Sequence, residues 1–222
     1  MSYRIITREE PRSSVSEQYR KVRTSIDFSS LDKKLKVINM TSTNPGEGKT
    51  VTCINVATVY SQMEKKVLLI DMDLRKPKVH RAFDISNTGG VSGYIEDKNL
   101  KNNIQEINPH LFVMVAGEKV PFPSEALGSN LIKDMMDEIR QEFDVIIIDC
   151  PPMTAVTDAS IISNFSDGTV FVLASRTTNR DVAKTSLKQL EQHGANVLGA
   201  VLTRVSRRDS AYGMDYYYYY GE

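Results

Sequence analysis

The stretch KVINMTSTNPGEGKT, residues 36–50, decides the fold. Its first half is rich in apolar and β-branched residues and predicts a strand over 36–42, which the Asn-Pro-Gly-Glu-Gly segment must end. Residues 49–63 then carry the pattern of a helix. A strand that passes through a glycine-rich loop into a helix is typical of parallel α/β sheets.

The loop itself, Thr43-Asn-Pro-Gly-Glu-Gly-Lys-Thr50, matches the P-loop pattern from Gly48 onward, with Thr43 in place of the usual first glycine. Its glycines allow backbone N–H groups to surround a phosphate, while Lys49 would neutralise the β and γ oxygens and Thr50 would bind Mg²⁺. A plain glycine-rich turn is the alternative, but the Lys-Thr pair at the start of a helix argues against it. The predicted nucleotide-binding residues are Asn44, Pro45, Gly46, Glu47, Gly48, Lys49, Thr50 and Val51.

Apolar runs outside this unit repeat the alternation of strand and helix. Leu131, Met135 and Ile139 recur at helical spacing in one connecting segment, and residues 182–190 show a second helical pattern. The runs are apolar on both faces, so we expect a doubly wound, mostly parallel α/β sheet covered by helices on both sides. The five further strands are predicted at 67–70, 111–115, 145–148, 169–174 and 196–202.

Acidic residues follow two of these strands. Asp71 and Asp73 come after the strand at 67–70, and Asp149 comes directly after the strand at 145–148. Because the carboxyl ends of parallel strands share one edge of the sheet, these carboxylates would lie beside the P-loop, where a nucleotide holds Mg²⁺. Each alone could be a helix cap. In a chain that also has a P-loop, they favour a metal site.

Four cations follow Asp73 without an intervening acid. This basic run either lines the site as an edge that faces phosphate or tyrosine, or it is a solvated turn. Arg75 belongs to an Asp-x-Asp-x-Arg motif and is therefore the candidate catalytic residue among them. The four cations are Arg75, Lys76, Lys78 and Arg81.

The composition excludes several classes of protein. The 222 residues carry 28 Lys and Arg against 28 Asp and Glu, so no net field attracts nucleic acid. The two cysteines have no disulfide or metal-binding spacing, and no apolar run approaches the ~20 residues that cross a bilayer. We expect one domain at 1–205, including a helix at about 14–30, and a flexible tyrosine-rich tail at 206–222.

In combination, the P-loop, Asp71-x-Asp73-x-Arg75 and Asp149-x-Pro-Pro, with a basic helix before them and a tyrosine cluster after, resemble the cytoplasmic catalytic domain of bacterial tyrosine kinases of the capsular and exopolysaccharide type. The resemblance covers essentially the whole chain. It implies a P-loop NTPase fold of the partitioning-ATPase type, unrelated to eukaryotic protein kinases. It also implies ATP or ADP and Mg²⁺ as cofactors.

The same resemblance implies a role for each site residue. Lys49 would stabilise the transferring phosphoryl group. Thr50 and Asp149 would hold Mg²⁺, with Asp73 acting through water. Asp71 would accept the proton of the incoming tyrosine hydroxyl, although the residues alone leave open whether Asp71 or Asp73 is the base.

Both ends of the chain carry further motifs of that family. Glu17-x-x-Arg20-x-x-Arg23 matches an oligomerisation motif, and the alternative is pairing of Glu17 with Arg20 or Lys21 within the helix. The tail tyrosines would accept phosphate from a neighbouring subunit of a ring, an octamer by resemblance. These tyrosines are Tyr212, Tyr216, Tyr217, Tyr218, Tyr219 and Tyr220. The stripe expected to pack the helix on the domain is Val15, Tyr19, Val22 and Ile26.

The resemblance implies partners as well: a transmembrane activator of the polysaccharide co-polymerase type, expected as a separate chain, and a cognate tyrosine phosphatase. The protein would be cytoplasmic, recruited to the inner face of the membrane by its activator, and would regulate capsular or exopolysaccharide synthesis.

Related folds contact adenine after the last strand, which implicates Thr203 and Arg204. The main alternative is a partitioning or division-type ATPase switch without kinase activity, although such proteins carry a loop lysine where this chain has Asn44. The second alternative is an enzyme of the same fold that acts on a small molecule.

Overall fold

The computed structural model describes residues 3–30 and 35–206, which form one seven-stranded sheet and ten helices. The strands are β1 Val37–Ser42, β2 Val67–Asp71, β3 Gln105–Asn108, β4 Leu111–Met114, β5 Val145–Asp149, β6 Gly168–Ala174 and β7 Val197–Thr203. The helices are α1 Ile6–Glu9, α2 Ser14–Phe28, α3 Lys49–Ser61, α4 Val79–Phe83, α5 Gly90–Asp97, α6 Leu100–Asn103, α7 Pro123–Leu127, α8 Asn130–Glu142, α9 Asp158–Ser163 and α10 Arg180–Gln192.

The strand order in the sheet is β3-β4-β2-β5-β1-β6-β7. Neighbouring strands run parallel, except that β3 is antiparallel to β4. In this order β5 lies between β1 and β2, so the loops that follow these three strands meet at the carboxyl edge of the sheet. The predicted mostly parallel α/β fold is confirmed.

Side chains of the central strands alternate between two hydrophobic cores, one on each face of the sheet. In β5, Ile146 and Ile148 belong to the core that includes α8, whereas Val145 and Ile147 belong to the core that includes α3. Burial on both faces explains why this strand is an unbroken apolar run in the sequence.

Two strands differ from the prediction. The pattern predicts no strand at β3, because Gln105–Asn108 contains a single apolar residue and is ordered by pairing with β4. β7 is expected to be apolar on both faces but is only partly buried, with Leu202 56% exposed. It lies at the edge of the sheet and pairs with β6 alone among the described strands.

The N-terminal segment packs on α3. The Asn55 side chain accepts hydrogen bonds from the backbone N–H and the hydroxyl of Thr7, at 3.1 and 2.9 Å, and Ile26 of α2 is buried. The expectation that Val15 packs on the domain is wrong, since it is 49% exposed. Ser16 faces inward instead, because its hydroxyl hydrogen-bonds two backbone carbonyl groups at α1.

Asp167 ties the start of β1 to the start of β6. One of its carboxylate oxygens accepts hydrogen bonds from the backbone N–H groups of Lys36 and Val37, at 2.8 and 2.7 Å. The other accepts a hydrogen bond from Arg140 of α8 at 3.1 Å. Burial by itself would raise the pKa of Asp167, but Arg140 and the backbone donors outweigh it, and the pKa is lowered.

We predict that Asp167→Asn lowers the free energy of unfolding by about 1.5–3 kcal/mol at neutral pH, the usual value of a charged hydrogen-bond partner. Because folding lowers this carboxyl pKa, its contribution is present above the unfolded value near 3.9 and is lost as the pH falls through the folded value. Urea unfolding at pH 7 and at pH 3 measures the difference. The exposed Asp137→Asn is the control, and equal effects of both substitutions at pH 7 would contradict the prediction.

Candidate active site

The predicted P-loop connects β1 to α3, and two of its glycines adopt backbone angles that favour glycine. Gly46 has a φ of +82° and Gly48 a φ of +96°, and Gly48 directly precedes the first residue of α3. A Cβ atom at position 48 would lie 3.1 Å from a methyl carbon of Thr203. The loop therefore needs glycine at position 48 both for its turn and for its close approach to the end of β7.

A buried ion pair joins the start of α3 to the end of β5. The Lys49 ammonium lies 2.5 Å from one Asp149 oxygen, and the Thr50 hydroxyl donates to the other at 2.8 Å. The side chains of Lys49 and Asp149 are 8% and 1% exposed. Burial alone would lower the pKa of Lys49, but the Asp149 carboxylate outweighs it and the pKa is raised. Lys49 therefore carries a permanent positive charge at the start of α3, directly after the P-loop glycines.

Asp71 is fully buried at the end of β2, where its register partner is Asp149. Its carboxylate accepts hydrogen bonds from the backbone N–H groups of Asp73, Lys78 and Val79, at 3.1, 2.9 and 3.0 Å. Burial, reinforced by Asp149, raises the pKa of Asp71 to about 7 in spite of these donors. The loop after β2 thus wraps around this carboxylate and fixes its position.

Asp73 lies in the same loop, and its carboxylate accepts a hydrogen bond from the backbone N–H of Lys76 at 3.0 Å. It is 8% exposed, whereas Asp71 is completely enclosed. The fold therefore brings Asp71, Asp73 and Asp149 to the P-loop edge of the sheet, as the sequence predicts.

Arg75 is held by a partner that no motif indicates. Its guanidinium makes hydrogen bonds of 2.9 and 3.3 Å to the carboxylate of Asp158, at the start of α9, and one of 2.9 Å to the Ser124 hydroxyl. The Asp158 side chain is fully buried. Arg75 thus fastens the loop after β2 to α7 and α9, which is a positioning contact.

The predicted adenine contacts lie against the P-loop. The Thr203 hydroxyl donates to the backbone carbonyl of Glu47 at 2.6 Å, and the Arg204 guanidinium hydrogen-bonds the carbonyl of Gly46. Glu47 itself is buried, and its carboxylate accepts a hydrogen bond from the Thr178 hydroxyl at 2.5 Å. Sequence reasoning missed Thr178, which lies 131 residues from its partner and belongs to no motif.

Both thiols are buried beside the ion pair. Burial raises the pKa of Cys150 to about 12 and, with Asp149, raises the pKa of Cys53 well above its ordinary value. The Cys53 thiol lies 3.4 Å from an Asp149 oxygen and can donate to it. Both cysteines are therefore protonated structural residues, in agreement with the absence of any disulfide or zinc spacing.

The donor set suits Mg²⁺ bound together with phosphates. Among the described residues, no group of three or more His, Cys, Asp and Glu side chains is arranged to hold a metal ion. Mg²⁺ commonly takes one or two carboxylates and completes its shell with phosphate oxygens and water. The Thr50 hydroxyl and the Asp149 carboxylate are hard oxygen donors of this kind at the loop.

The N-terminal motif is divided between two environments. Glu17 and Arg20 form an exposed pair at 3.0 Å, and Arg20 also donates to the backbone carbonyl of Pro11 at 2.6 Å. Arg23 is only 19% exposed and lies 3.9 Å from Asp27. The pairing of Glu17 with Arg20 within the helix is thus present, and two of the three motif residues remain at the surface. The tail tyrosines lie outside the described residues.

Fold and loop together define a P-loop nucleotide-binding domain, and residues 35–192 match the model of the AAA domain family. Tyrosine-protein kinase YwqD of Bacillus subtilis is 40% identical to the chain and aligns over all of it and 92% of the relative. The solved structure of the chimerical protein CapA2B2 superposes with a TM-score of 0.88 at 34% identity, over 92% of this chain and 91% of that one.

A further relative, tyrosine-protein kinase etk of Escherichia coli K12, is 35% identical over 91% of the chain, which spans 28% of that relative's length. The chain belongs to the bacterial tyrosine kinase family. The family resemblance seen in the sequence and the expected enzyme class, a protein-tyrosine kinase, are thereby confirmed. In the part of the chain that the structure describes, no helix has the length and apolar character needed to cross a membrane.

We predict that Asp149→Asn destabilises the nucleotide-free protein by about 3–5 kcal/mol, because it leaves the Lys49 ammonium buried without its counter-ion. Adding Lys49→Met to that variant removes the unpaired charge. The double variant should therefore be more stable than the sum of the two single effects by about 1 kcal/mol or more. Urea unfolding of the three variants measures this coupling.

The matched control is Asp181→Asn with Lys184→Met on the exposed face of α10, where the two positions are also one acid and one lysine. Their coupling should be close to zero, since exposed pairs contribute little. Additive effects at Lys49 and Asp149 would contradict the ion-pair interpretation.

Proposed function

We propose that the protein is an ATP- and Mg²⁺-dependent protein-tyrosine kinase that phosphorylates its own C-terminal tyrosine cluster in trans. The observation that carries this proposal is the convergence of Lys49 and Thr50 with Asp71, Asp73 and Asp149 at one edge of the sheet. A phosphoryl-transfer site needs a cation for the phosphate, hard ligands for the metal and a carboxylate near the acceptor hydroxyl. All three are within this cluster.

Each residue then has one task. Lys49 exchanges its contact with Asp149 for the β and γ oxygens of the nucleotide, and its charge stabilises the transferring group. The backbone N–H groups of the loop between Gly46 and Thr50 bind the phosphates. When bound, Mg²⁺ neutralises phosphate charge, and Thr50 and Asp149 would hold it, with Asp73 acting through water.

We assign Asp71 to the acceptor hydroxyl. Three backbone donors fix this carboxylate in place, so it can orient the acceptor hydroxyl and take up its proton. Arg75 supports the arrangement from Asp158 and Ser124, so we propose that it positions the loop and acts on the phosphate only indirectly. Thr203 and Arg204 are proposed to contact the adenine.

The partners follow from the relatives. The relative etk of Escherichia coli is more than three times as long as the matching region, since the chain spans 28% of it, whereas YwqD is matched over nearly its whole length. We propose that here the membrane-embedded activator is a separate chain, and that it recruits the kinase to the inner face of the membrane. The capsule-related names CapB and CpsD among the relatives support a role in capsular or exopolysaccharide synthesis. A cognate tyrosine phosphatase would reverse the reaction.

We predict that the full chain incubated with Mg²⁺ and ATP gains mass in steps of about 80 Da, one per phosphate, on tail tyrosines. Lys49→Met should abolish the gain, because it removes the cation that the transferring group needs. Intact-mass spectrometry followed by peptide mapping, with and without a peptide from a candidate activator, measures both. Lys184→Met is the matched control, since it removes an exposed lysine of α10 that takes no part in the proposed reaction, and it should keep the wild-type mass gain.

Hydrolysis of ATP with no phosphate on tyrosine, even with activator present, would instead favour the ATPase switch, which shares the fold and the loop. That outcome would overturn the kinase proposal without altering the nucleotide site.

We also propose that Glu17, Arg20 and Arg23 contribute to a head-to-tail contact that closes a ring, an octamer by family resemblance. Replacing all three by Ala should reduce the mass in solution, because the exposed Glu17–Arg20 pair offers both charges to a neighbour. Light scattering coupled to size exclusion measures it. An unchanged mass, against an Arg4→Ala control at another exposed arginine, would remove support for the contact.

A further inference from the structure

A basic cavity lies beside the carboxylates of the candidate active site. It has a volume of about 500 Å³ and is lined by residues of the loop after β2, by residues of α4 and by Asn87. We call it the basic cavity and define it by Lys76, Lys78, His80 and Arg81, with Arg75 at its rim. The proposed reaction, as described above, uses none of the side chains of these four residues.

The charges of the basic cavity are available to a ligand. Arg75 is engaged by Asp158, but within the described ranges no carboxylate lies within 4 Å of the charged groups of Lys76, Lys78 or Arg81. The Nδ1 atom of His80 is buried and has no hydrogen-bond partner there. A concave site with three uncompensated cations favours a compact, multiply charged anion.

The backbone connects this cavity directly to the reaction site. The N–H of Lys78 donates to the Asp71 carboxylate at 2.9 Å, and the N–H of Lys76 donates to that of Asp73 at 3.0 Å. The side chains of the same two lysines line the cavity. An anion bound there is therefore held by the same backbone segment that donates hydrogen bonds to Asp71 and Asp73.

We propose that the basic cavity binds the phosphate of a tyrosine already phosphorylated in the tail of another copy of this chain, and so presents the next tyrosine to Asp71. This inference rests on the proposed function. Residues 216–220 are five consecutive tyrosines. In an extended bound segment, alternate side chains point the same way and are about 7 Å apart, so a phosphate and a free hydroxyl two positions away reach adjacent sites.

The sequence of the tail favours this occupant over an unmodified one. Residues 207–222 contain two Arg against two Asp and one Glu, so the unmodified tail carries little net charge. A phosphotyrosine adds about −1.5 to −2 charges and three acceptor oxygens. The first phosphate therefore creates the ligand, and later phosphates are added faster than the first.

Binding tests the cavity without any catalysis. The protein is the full-length Lys49→Met variant, whose own tail stays unphosphorylated, and the probe is a peptide of residues 211–222 with one phosphotyrosine at position 218. We expect the phosphopeptide to bind at least about tenfold more tightly than the unmodified peptide, and Lys78→Gln/Arg81→Gln to lose about that factor, as for lost charge-assisted contacts. Lys184→Gln/Lys188→Gln on exposed α10 removes the same charge and should bind normally.

Three results of this assay would overturn the proposal. One is equal affinity for the two peptides. Another is equal affinity for the phosphopeptide and inorganic phosphate, which would indicate a general anion site. The third is binding of phosphatidylglycerol vesicles that needs Lys78 and Arg81 while the phosphopeptide does not bind, which would assign the cavity to a membrane surface.

Kinetics test the order of reaction in the active enzyme. The rate constants for the first and second phosphates are taken from the time course of intact masses. The ratio of second to first should fall about tenfold in Lys78→Gln/Arg81→Gln and stay at the wild-type value in Lys184→Gln/Lys188→Gln. An unchanged ratio in both would overturn sequential docking. A wild-type chain that phosphorylates no tyrosine would refute the proposed function, and the binding assay would still decide what the cavity recognises.

Discussion

The buried ion pair between Lys49 and Asp149 is the contact on which the site depends. It joins the first residue of α3 to the last residue of β5, 100 positions apart in the chain. Withdrawing two charges from water is costly, and a buried pair often stabilises a fold no better than apolar residues would. The proposed reaction gives the pair a chemical use, because a nucleotide phosphate would take over the lysine and leave the carboxylate free to hold a metal.

The parallel register of the sheet places the remaining groups around that pair. β5 lies between β1 and β2, and Asp71 is directly opposite Asp149 across the β2–β5 ladder. Two neighbouring carboxylates in a dry environment resist simultaneous ionisation, which is one reason for the raised pKa of Asp71. The strand order therefore does more than position the acids, because the closeness of Asp149 also helps to raise the pKa of Asp71.

The central strands, the P-loop and its three carboxylates could be predicted from the sequence because their signals are local. Residues 145–148 form an apolar run, and the P-loop is recognised from the adjacent residues Gly48, Lys49 and Thr50. Contacts between distant residues leave no such pattern: Asp158 is 83 positions from Arg75. β3 contains one apolar residue and is ordered by its pairing with β4. Val15 is exposed because the hydrogen bonds of the Ser16 hydroxyl orient α2 with Ser16 toward the domain.

The contacts that Thr203 and Arg204 make with the P-loop link two parts of the chain. The last described residue, Ser206, is two positions beyond Arg204, so the described part of the chain ends close in sequence to the contacts with the loop that would hold the nucleotide. Thermodynamic reciprocity applies to such an arrangement: if nucleotide occupancy alters these contacts, then whatever engages the segment beyond them alters nucleotide affinity by the same factor. Under that condition the residues after β7 would report the nucleotide state to the segment that follows, and this coupling would depend on where the segment is attached and not on its composition.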